Sequence, residues 1–521
     1  MNFYSPETYY GQVIAMLPAL LSILLYFGYK RPKYAFALLL LSGFALRWIA
    51  ISLDPYLHEW DERFHALVAK RMMENPLLPM LRVDDFLDYN YKAWNNNTIW
   101  LHKQPLFLWQ MALSMKLFGI NEFALRLPLL LMGTGMIFFV RRIVAYWTEN
   151  RDIGFIAAFL FALSYYHLLV TTCRMGMDHN DISFSFYVTG SIWALTHYLD
   201  KRSLSWALGI GLFVGAAVLN KWLTGLLVYA GWGLFVLWNA SERKKWTNYW
   251  HGALSLLTAL IIFLPWQLYI SYRFPLESAY EYAFNAKHIF EVVEGHKGDF
   301  FFYFNAIDDY YGGFFIPFLI LGNLACIFRK KYWKRNLVFM SMAWVLYLFF
   351  SLAASKLVGY TMPAMSLVYG FIAIGIVEAA QVLIKFFPML MKFRVLFIFA
   401  GLSVLGYHSL RPSLLAKESS IQNEARNARI HDAAVFRNLD KEIVKNYPVI
   451  ANCGAYQDIL LMFYQPVVAF AWAPNEALIA KVLQKGQKIA VFKAHGVYGL
   501  PPHLLENQEI FIINKDLKVN Y

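Results

Sequence analysis

The chain has 521 residues, of which 59% are hydrophobic, 18% aromatic and only 16% charged. Charged residues make up about a quarter of an ordinary soluble protein, so this balance excludes a soluble globular domain and indicates a multi-pass protein surrounded by membrane lipids. The net charge of +13 does not indicate nucleic acid, because the basic residues lie mostly in short loops between apolar segments. We therefore expect no nucleic-acid partner.

Long apolar segments follow one another along most of the chain. A helix that crosses the hydrocarbon core of a bilayer needs about 20 mostly apolar residues. By this measure the sequence predicts an all-α membrane fold with about twelve transmembrane helices. They lie near residues 10–28, 34–53, 127–145, 153–171, 182–199, 204–219, 223–238, 251–271, 311–328, 337–353, 361–381 and 394–410.

The loops on one side of these predicted helices are all basic. Lys and Arg are enriched in the cytoplasmic loops of membrane proteins, so we expect this side to be cytoplasmic. Both termini and the longer loops would then lie on the outer face of the membrane. The basic residues are Lys30, Arg31, Lys33, Arg141, Arg142, Arg151, Lys201, Arg202, Arg243, Lys244, Lys245, Arg329, Lys330, Lys331, Lys334, Arg335, Lys385, Lys392 and Arg394.

Three longer segments are predicted on the outer face: residues 54–126, residues 272–310 and the tail. We expect the first two to roof a cavity, with helices of the first lying along the membrane interface. The tail contains four short runs with strand composition and one amphipathic helix, which predicts a small α/β domain. The predicted domains are thus a membrane domain, residues 1–410, and an α/β domain outside the membrane, residues 411–521.

An acidic pair stands at the start of the outer segment "WDERFHALVAKRM", residues 60–72. Asp61 and His65 are four residues apart and share one face of the predicted helix, and Glu62 lies beside them. A carboxylate at the membrane surface can act as a general base, because partial desolvation moves the pKa of such a group towards neutrality. The alternative is that Asp61 only caps the helix N-terminus.

Further polar residues are predicted on the same side of the membrane. Ionisable groups at or within spans are costly and are usually functional, although a single one is often a snorkelling lysine or a loop charge. Acids together with several Lys and Arg suit a reaction in which a nucleophile is deprotonated while a phosphate leaves, because the cations stabilise the charge on the phosphate. The residues are His102, Lys103, Arg174, Asp178, His179, Asp181, Lys221, Lys356 and Tyr360.

Histidines in the second outer segment add a candidate metal site. His288 and His296 lie in "NAKHIFEVVEGHKG", and with His102 they offer imidazole ligands for a divalent metal ion. Their spacing lacks the compactness of a zinc motif. The alternative is that these histidines form hydrogen bonds with backbone or phosphate.

Six motifs in order carry a family resemblance: "DERFHALVAKRM", "HKQPLFLWQMALSMKLFGINEFALRLP", an Arg and an Asp after an intramembrane pair, "LNKWLTG", "EGHKG" and "SKLVGYTMP". This set closely resembles the bacterial integral-membrane glycosyltransferases of the GT-C fold. These enzymes are relatives of the protein O-mannosyltransferases and of the lipid A aminoarabinose (4-amino-4-deoxy-L-arabinose) transferases. The resemblance covers roughly residues 50 to 380.

The resemblance implies a role for individual residues. It implies a catalytic base and further acids at one group of positions, contacts with the donor phosphate at a second, and metal ligands at a third. "KQP" stands here in place of the family's "KPP", and a histidine replaces the glutamate that precedes this lysine in the aminoarabinose transferases. The catalytic base is Asp61, and the further acids are Glu62 and Asp178. The donor-phosphate contacts are Lys103, Tyr360, Lys221 and Arg174, and the metal ligands are His102 and His288.

The implied function is the transfer of a sugar from a polyprenyl-phosphate-linked donor to a lipid, glycan or protein acceptor at the periplasmic face, with inversion at the anomeric carbon. Lipid A modification and protein O-mannosylation are both compatible with this function. The rival hypothesis is a transporter or flippase for a polyprenyl-linked sugar, because such proteins also carry charges within their spans. Transporters, however, place these charges near the midplane and often have inverted repeats, of which this sequence has no sign.

Overall fold

The computed structural model describes residues 4–174, 179–221, 223–328, 333–496 and 498–519. The chain forms two compact units. The first, which we call the sheet unit, comprises Met1–Glu7, Ile51–Pro128 and Ser413–Tyr521. The second, the span unit, comprises Thr8–Ala50 and Leu129–Pro412. The C-terminal segment therefore shares a unit with the first outer segment.

Long apolar helices make up most of the span unit. Among the described residues, eight helices are long and apolar enough to cross a membrane, and up to ten if each of two bent pairs is one span. The eight are Pro6–Gly28, Pro32–Ser52, Glu122–Thr148, Leu204–Lys221, Trp246–Arg273, Lys334–Leu352, Val358–Phe386 and Arg394–Glu418. The bent pairs are Arg151–Ala162 with Tyr165–Thr171, at 51°, and Phe302–Tyr311 with Gly313–Phe328, at 102°.

Two of the predicted spans fall short of these criteria for different reasons. The segment predicted at 182–199 lies in helix His179–Lys201, which is long enough but is made less apolar by the Ser, Thr and His residues along it. The segment predicted at 223–238 divides into the 3₁₀ turn Leu223–Leu226 and the short helix Leu227–Trp238. Most of helix His179–Lys201 is buried by protein, so its polar side chains do not require a place in lipid.

Shorter helices complete the span unit. Helix Pro275–Phe290 lies in the second outer segment. The 3₁₀ helix Val358–Ala364 is the first part of the span Val358–Phe386. The others are Ala240–Arg243, Phe302–Asn305, Ile307–Tyr311, Gly313–Phe315 and Pro388–Met391.

The bend between Phe302–Tyr311 and Gly313–Phe328 depends on a glycine and on a distant arginine. Gly312 has φ of 91°, in the left-handed region that only glycine adopts at low cost. The Arg411 guanidinium donates to the carbonyl oxygens of Asp308, at 3.1 Å, and Asp309, at 3.4 Å. The Asp308 carbonyl also accepts the helical hydrogen bond of the Gly312 N–H at 2.7 Å, so Arg411 supplies it with a second donor at the end of the helix.

Two helices of the span unit meet through glycines. A Cβ on Gly322 would lie 1.9 Å from the carbonyl oxygen of Phe371, and a Cβ on Gly375 would lie 1.9 Å from that of Phe318. The backbones of helices Ile316–Phe328 and Met365–Phe386 therefore touch, as small residues allow in membrane helix pairs.

The sheet unit contains five strands: β1 (Val449–Ala451), β2 (Val468–Ala469), β3 (Ile489–His495), β4 (Tyr498–Gly499) and β5 (Ile510–Leu517). β1 pairs in parallel with β2 and with β3, and β3 pairs in parallel with β5. β4 runs antiparallel to the end of β3. The four tail runs with strand composition correspond to β1, β2, β3 and β5.

Apolar side chains cover both faces of this sheet, which explains why its strands are nearly continuous apolar runs. One face packs in a core that includes Phe64, Phe107, Ile450, Phe463 and Phe492. The other packs in a core that includes Phe86, Val449, Phe470, Ile479 and Val491. The helices of this unit are Asp61–Met72, Leu106–Phe118, Glu424–Arg437, Lys441–Asn446, Gln457–Tyr464, Glu476–Gln484 and Pro502–Leu505. Helix Pro412–Glu418 begins at the last residue of the span unit and continues into the sheet unit.

A buried ionic cluster lies beside β2, where Arg82 donates to the Ala469 carbonyl at 2.9 Å. Arg82 Nε is 3.1 Å from Asp84 Oδ2, and Arg82 Nη1 is 3.6 Å from Asp458 Oδ2. Burial raises the pKa of Asp458 to about 6, and the nearby Arg82 offsets this only in part. One guanidinium shared by two carboxylates leaves the second carboxylate incompletely compensated.

Candidate active site

The predicted base stands at the first turn of helix Asp61–Met72 in the sheet unit. Trp60 occupies the N-cap position, so the alternative that Asp61 is the N-cap residue is wrong. Lys103 Nζ lies 4.0 Å from Asp61 Oδ1, and the two side chains keep 21% and 23% of their surface exposed. The sheet unit therefore presents a carboxylate and a cation that a substrate can reach.

Glu62 has a different environment from its neighbour Asp61. The Arg126 guanidinium donates to both oxygens of Glu62, at 2.8 and 2.9 Å, and the backbone N–H of His58 donates to one of them at 2.6 Å. Arg126 also donates to the carbonyls of Ile51, Asp54 and Tyr56. This buried network holds the start of the helix in place and favours a positioning role for Glu62 over direct catalysis.

The loop before helix Leu106–Phe118 brings Lys103 to Asp61. His102, next in the chain, stacks on Trp94 with ring centroids 4.9 Å apart and a 14° interplanar angle, and it meets Trp100 edge-on at 5.8 Å. These two indoles fix the loop and direct the following lysine. The structure thus brings together three of the predicted residues of this unit: Asp61, His102 and Lys103.

The span unit gathers a second group around an ion pair. Asp181, in the first turn of helix His179–Lys201, pairs with Lys221, the last residue of helix Leu204–Lys221. Gly359 approaches so closely that a Cβ there would lie 2.9 Å from the Asp181 carboxylate. Three elements therefore converge on this buried acid.

Tyr360 extends the group. Lys221 Nζ lies 5.3 Å from the centroid of the Tyr360 ring, within the range of a cation–π contact. The Tyr360 hydroxyl is 3.5 Å from Nδ1 of His288, on helix Pro275–Phe290. Lys221, Tyr360 and His288, predicted from separate motifs, thus form one array with Asp181, which we call the Lys221 array.

The "SK" motif positions Tyr360 through the backbone. The N–H groups of Ala354, Ser355 and Lys356 donate to the carbonyls of Ile289, His288 and His296. The Lys356 ammonium donates to the carbonyls of Phe350, Ser351 and Ala353 at the end of a transmembrane helix. Lys356 therefore acts as a helix C-terminal cap, which stabilises carbonyls that lack helical partners.

The remaining predicted residues lie on the segment after the first bent pair. Arg174 follows the turn that ends helix Tyr165–Thr171, and its backbone N–H donates to the Leu169 carbonyl at 3.3 Å. Cys173 in this turn has φ of 59°. Asp178 lies outside the described residues.

Sequence reasoning did not identify Arg126 as a partner, and although it named Asp181 among the polar residues, it did not predict that Asp181 pairs with Lys221. Arg126 lies in the quoted motif "INEFALRLP", and an arginine near the start of an apolar helix was the available signal. Asp181 stands three residues after Asp178 in "DHND", and sequence alone gave no means of choosing which acid meets a lysine.

A family model described as dolichyl-phosphate-mannose-protein mannosyltransferase matches residues 102–269. The chain is 27% identical over 292 residues to an undecaprenyl phosphate-alpha-4-amino-4-deoxy-L-arabinose arabinosyl transferase 2 of Pseudomonas fluorescens Pf0-1, covering 52% of this chain and 48% of the relative. A protein of the same name from Proteus mirabilis HI4320 is 28% identical over 348 residues, or 63% and 57% of the two chains. The chain spans about half the length of these curated relatives.

Solved structures are similar over more of the chain. ArnT from Cupriavidus metallidurans, bound to undecaprenyl phosphate, superposes with a TM-score of 0.60 at 18% identity, covering 86% of this chain and 88% of that one. The archaeal oligosaccharyltransferase AglB from Archaeoglobus fulgidus, in complex with an inhibitory peptide and a dolichol-phosphate, gives 0.54 at 14% identity, with 84% and 64% covered. Both similarities are similarities of fold.

Proposed function

Since the chain has the GT-C fold and is related to the aminoarabinose transferases and the protein O-mannosyltransferases, we propose that it is a membrane glycosyltransferase. It moves a sugar from a polyprenyl-phosphate donor to an acceptor hydroxyl at the periplasmic face of a bacterial inner membrane. The observation that carries this proposal is the accessible Asp61–Lys103 pair at the start of an otherwise buried helix.

The proposed reaction is a single displacement. The acceptor hydroxyl transfers its proton to Asp61 while its oxygen forms a bond to the anomeric carbon. The bond from that carbon to the phosphate oxygen breaks, the configuration inverts, and the polyprenyl phosphate leaves with the bonding electrons. A carboxylate is required because a neutral hydroxyl is a poor nucleophile.

Cations stabilise the phosphate that leaves. Lys103, Lys221 and Tyr360 are each proposed to donate to an oxygen of the donor phosphate. Lys103 lies beside the proposed base in the sheet unit, and Lys221 and Tyr360 belong to the Lys221 array of the span unit. Arg174 is proposed as a further contact with the donor phosphate, and Asp178 as a second acid. Glu62 is proposed to hold Asp61 in position through Arg126.

The predicted divalent metal ion remains a separate proposal. Among the described residues, neither His102 nor His288 belongs to a cluster of three side chains close enough to share one ion. If a metal takes part, treatment of the purified protein with EDTA abolishes transfer and Mg²⁺ or Mn²⁺ restores it. An unchanged rate after EDTA would contradict this proposal.

The test of the function is deletion of the gene in its native bacterium. Envelope lipids, glycans and glycoproteins are compared by mass spectrometry after complementation with wild type, Asp61→Asn or Asp85→Asn. We expect one sugar increment to disappear from one class of molecule and to return with wild type and with Asp85→Asn only. The Asp85 side chain is 84% exposed and pairs with Lys485 rather than with a residue of the proposed site, so Asp85→Asn is a matched control.

Two results would overturn the proposal. One is full complementation by Asp61→Asn expressed at the wild-type level. The other is accumulation of an intact sugar-lipid on the cytoplasmic side with no transfer step missing outside, which is the result expected of a flippase.

A further inference from the structure

An exposed tryptophan precedes the proposed base. Trp60 leaves 49% of its surface exposed although it is a large aromatic residue of the sheet unit. Its φ of 62° and ψ of −124° lie outside the regions that non-glycine residues commonly adopt. Trp60 also takes the N-cap position, where Ser, Thr, Asp or Asn stabilise a helix better. Neither backbone preference nor burial explains a tryptophan at this position.

A second strained aromatic residue holds Trp60 in place. Tyr456 lies in the loop after β1 and has φ of 58°. The ring centroids of Trp60 and Tyr456 are 4.8 Å apart at an interplanar angle of 45°. Phe64 packs on Tyr456 at 5.7 Å, and Arg63 Nη1 donates to its carbonyl at 3.3 Å. Strained residues in contact with each other are found mainly where the surrounding structure serves a binding or catalytic function.

The surroundings of this aromatic pair are polar rather than lipid-like. Glu59, immediately before Trp60, forms an ion pair with Arg429 at 2.6 Å. Asp61 follows Trp60 and lies 4.0 Å from Lys103. Charged side chains thus flank the exposed indole along the chain, whereas a tryptophan that only anchors a protein at the membrane interface has an apolar flank on one side.

We propose that Trp60 and Tyr456 form a platform for the acceptor, and that this acceptor is a carbohydrate whose sugar ring packs on the exposed indole. A pyranose ring has a face of C–H groups that suits the electron-rich face of an aromatic ring, while its hydroxyls point outward. Trp60 and Asp61 are consecutive residues, with Cα atoms about 3.8 Å apart, and we assign the reacting hydroxyl of a sugar on Trp60 to the Asp61 carboxylate. This inference rests on the proposed glycosyltransferase function and narrows its acceptor to a glycan or a glycolipid headgroup.

The platform acts before and during proton transfer. The stacked ring fixes one hydroxyl against the Asp61 carboxylate, which takes the proton as the oxygen bonds to the anomeric carbon of the donor. The polyprenyl phosphate leaves as described above. Loss of the platform therefore raises the apparent KM for the acceptor and leaves the dependence of the rate on donor concentration unchanged.

The test uses the full-length protein in vesicles. Membranes of the deletion strain supply the donor, and its glycolipid, polysaccharide and protein fractions are added separately as acceptors. We compare wild type, Trp60→Ala, Trp60→Phe, Tyr456→Ala and the control Trp472→Ala, a 44% exposed tryptophan of the same unit. Thermal stability of each variant is measured in parallel, and Trp60→Phe keeps an aromatic face if Trp60→Ala folds poorly.

We expect wild type to modify a carbohydrate-containing fraction. Trp60→Ala and Tyr456→Ala should raise the apparent KM for that fraction at least tenfold without changing the dependence on donor, and Trp60→Phe should give an intermediate value. Trp472→Ala should behave as wild type.

Three results would overturn the inference. Transfer by wild type into the protein fraction alone would contradict a carbohydrate acceptor. An unchanged acceptor KM in both Trp60 variants would contradict the platform, as would a Trp60→Ala variant that loses only its retention in vesicles, the result expected of a lipid anchor. Absence of transfer into every fraction by wild type would instead overturn the proposed function, and the inference with it.

Discussion

Asp61 and Glu62 are adjacent in the chain but have opposite environments. Asp61 is partly exposed beside Lys103, whereas both oxygens of Glu62 accept hydrogen bonds from Arg126. The sequence predicted that this acidic pair is important, but it could not separate the two roles, because Arg126 is more than sixty residues away in the chain. Only the folded structure identifies which carboxylate has a buried cation as its partner.

This difference predicts opposite effects of two substitutions. Glu62→Gln should lower the free energy of unfolding by about 3 kcal/mol, because it leaves the buried Arg126 charge without its counter-ion. Asp61→Asn should change stability by less than about 0.5 kcal/mol while abolishing transfer. Thermal unfolding in detergent and the transfer assay measure both quantities. Equal losses of stability in the two variants would contradict the inference that Glu62 is structural and Asp61 is catalytic.

Asp458 predicts a pH dependence of stability. Its pKa is about 6 in the folded protein, compared with 3.8 for an ordinary aspartate. The folded state therefore binds this proton more tightly than the unfolded chain. Stability from this group is present in full below about pH 4 and is lost as the pH rises to about 6, by about 3 kcal/mol.

The measurement is the difference between wild type and Asp458→Asn in thermal unfolding from pH 4 to pH 8. Wild type should lose stability relative to the variant between pH 4 and pH 6, and the difference should then stay constant. Parallel curves for the two proteins would show that Asp458 does not titrate in this range.

At the scale of elements, apolar length predicted the position of most helices but not their continuity. The predicted span at 311–328 corresponds to the segment after the Gly312 bend, and the predicted span at 153–171 is broken by 51°. Hydropathy averages over such breaks, because a bent helix pair and a straight helix can have the same composition. Predicted strands in the tail were located by their β-branched and aromatic residues, but their pairing order is a tertiary property.

The glycine contact between Ile316–Phe328 and Met365–Phe386 gives a further prediction. Gly322→Ala should destabilise the protein by about 1 to 3 kcal/mol, because the new methyl group would meet the Phe371 carbonyl and force the helices apart. Gly401→Ala is a matched control, since a Cβ there meets nothing within 4 Å. Thermal unfolding of both variants tests this, and equal stability would contradict direct backbone contact.

At the scale of the whole molecule, the charge distribution predicts orientation. The basic loops should be cytoplasmic and both termini periplasmic. Alkaline phosphatase fused after Tyr521 should therefore be active, and the same enzyme fused at Lys244 should be inactive. Activity at Lys244 with none at Tyr521 would reverse the orientation and place the proposed reaction on the cytoplasmic face.

The sequence predicted which residues gather in an array, but it did not predict which segments of the chain form each unit. Lys221, Tyr360 and His288 were predicted from motifs and lie in one array, because those motifs contain ionisable groups at the ends of apolar helices. The sequence did not predict that the tail shares a unit with residues 51–128. That association depends on apolar side chains on both faces of the sheet, and their partners have no signature in the linear pattern.

The Gly312 bend has a consequence for the order of events during synthesis. Its carbonyls at Asp308 and Asp309 accept hydrogen bonds from Arg411, which lies about a hundred residues later in the chain. The Asp308 carbonyl has a local donor in the Gly312 N–H. A ribosome makes about 5 to 20 residues per second, so the Asp309 carbonyl must wait several seconds for Arg411. The bend is therefore completed only after the last span has emerged, and a chain that stops before Arg411 would enter the bilayer with this corner unfinished.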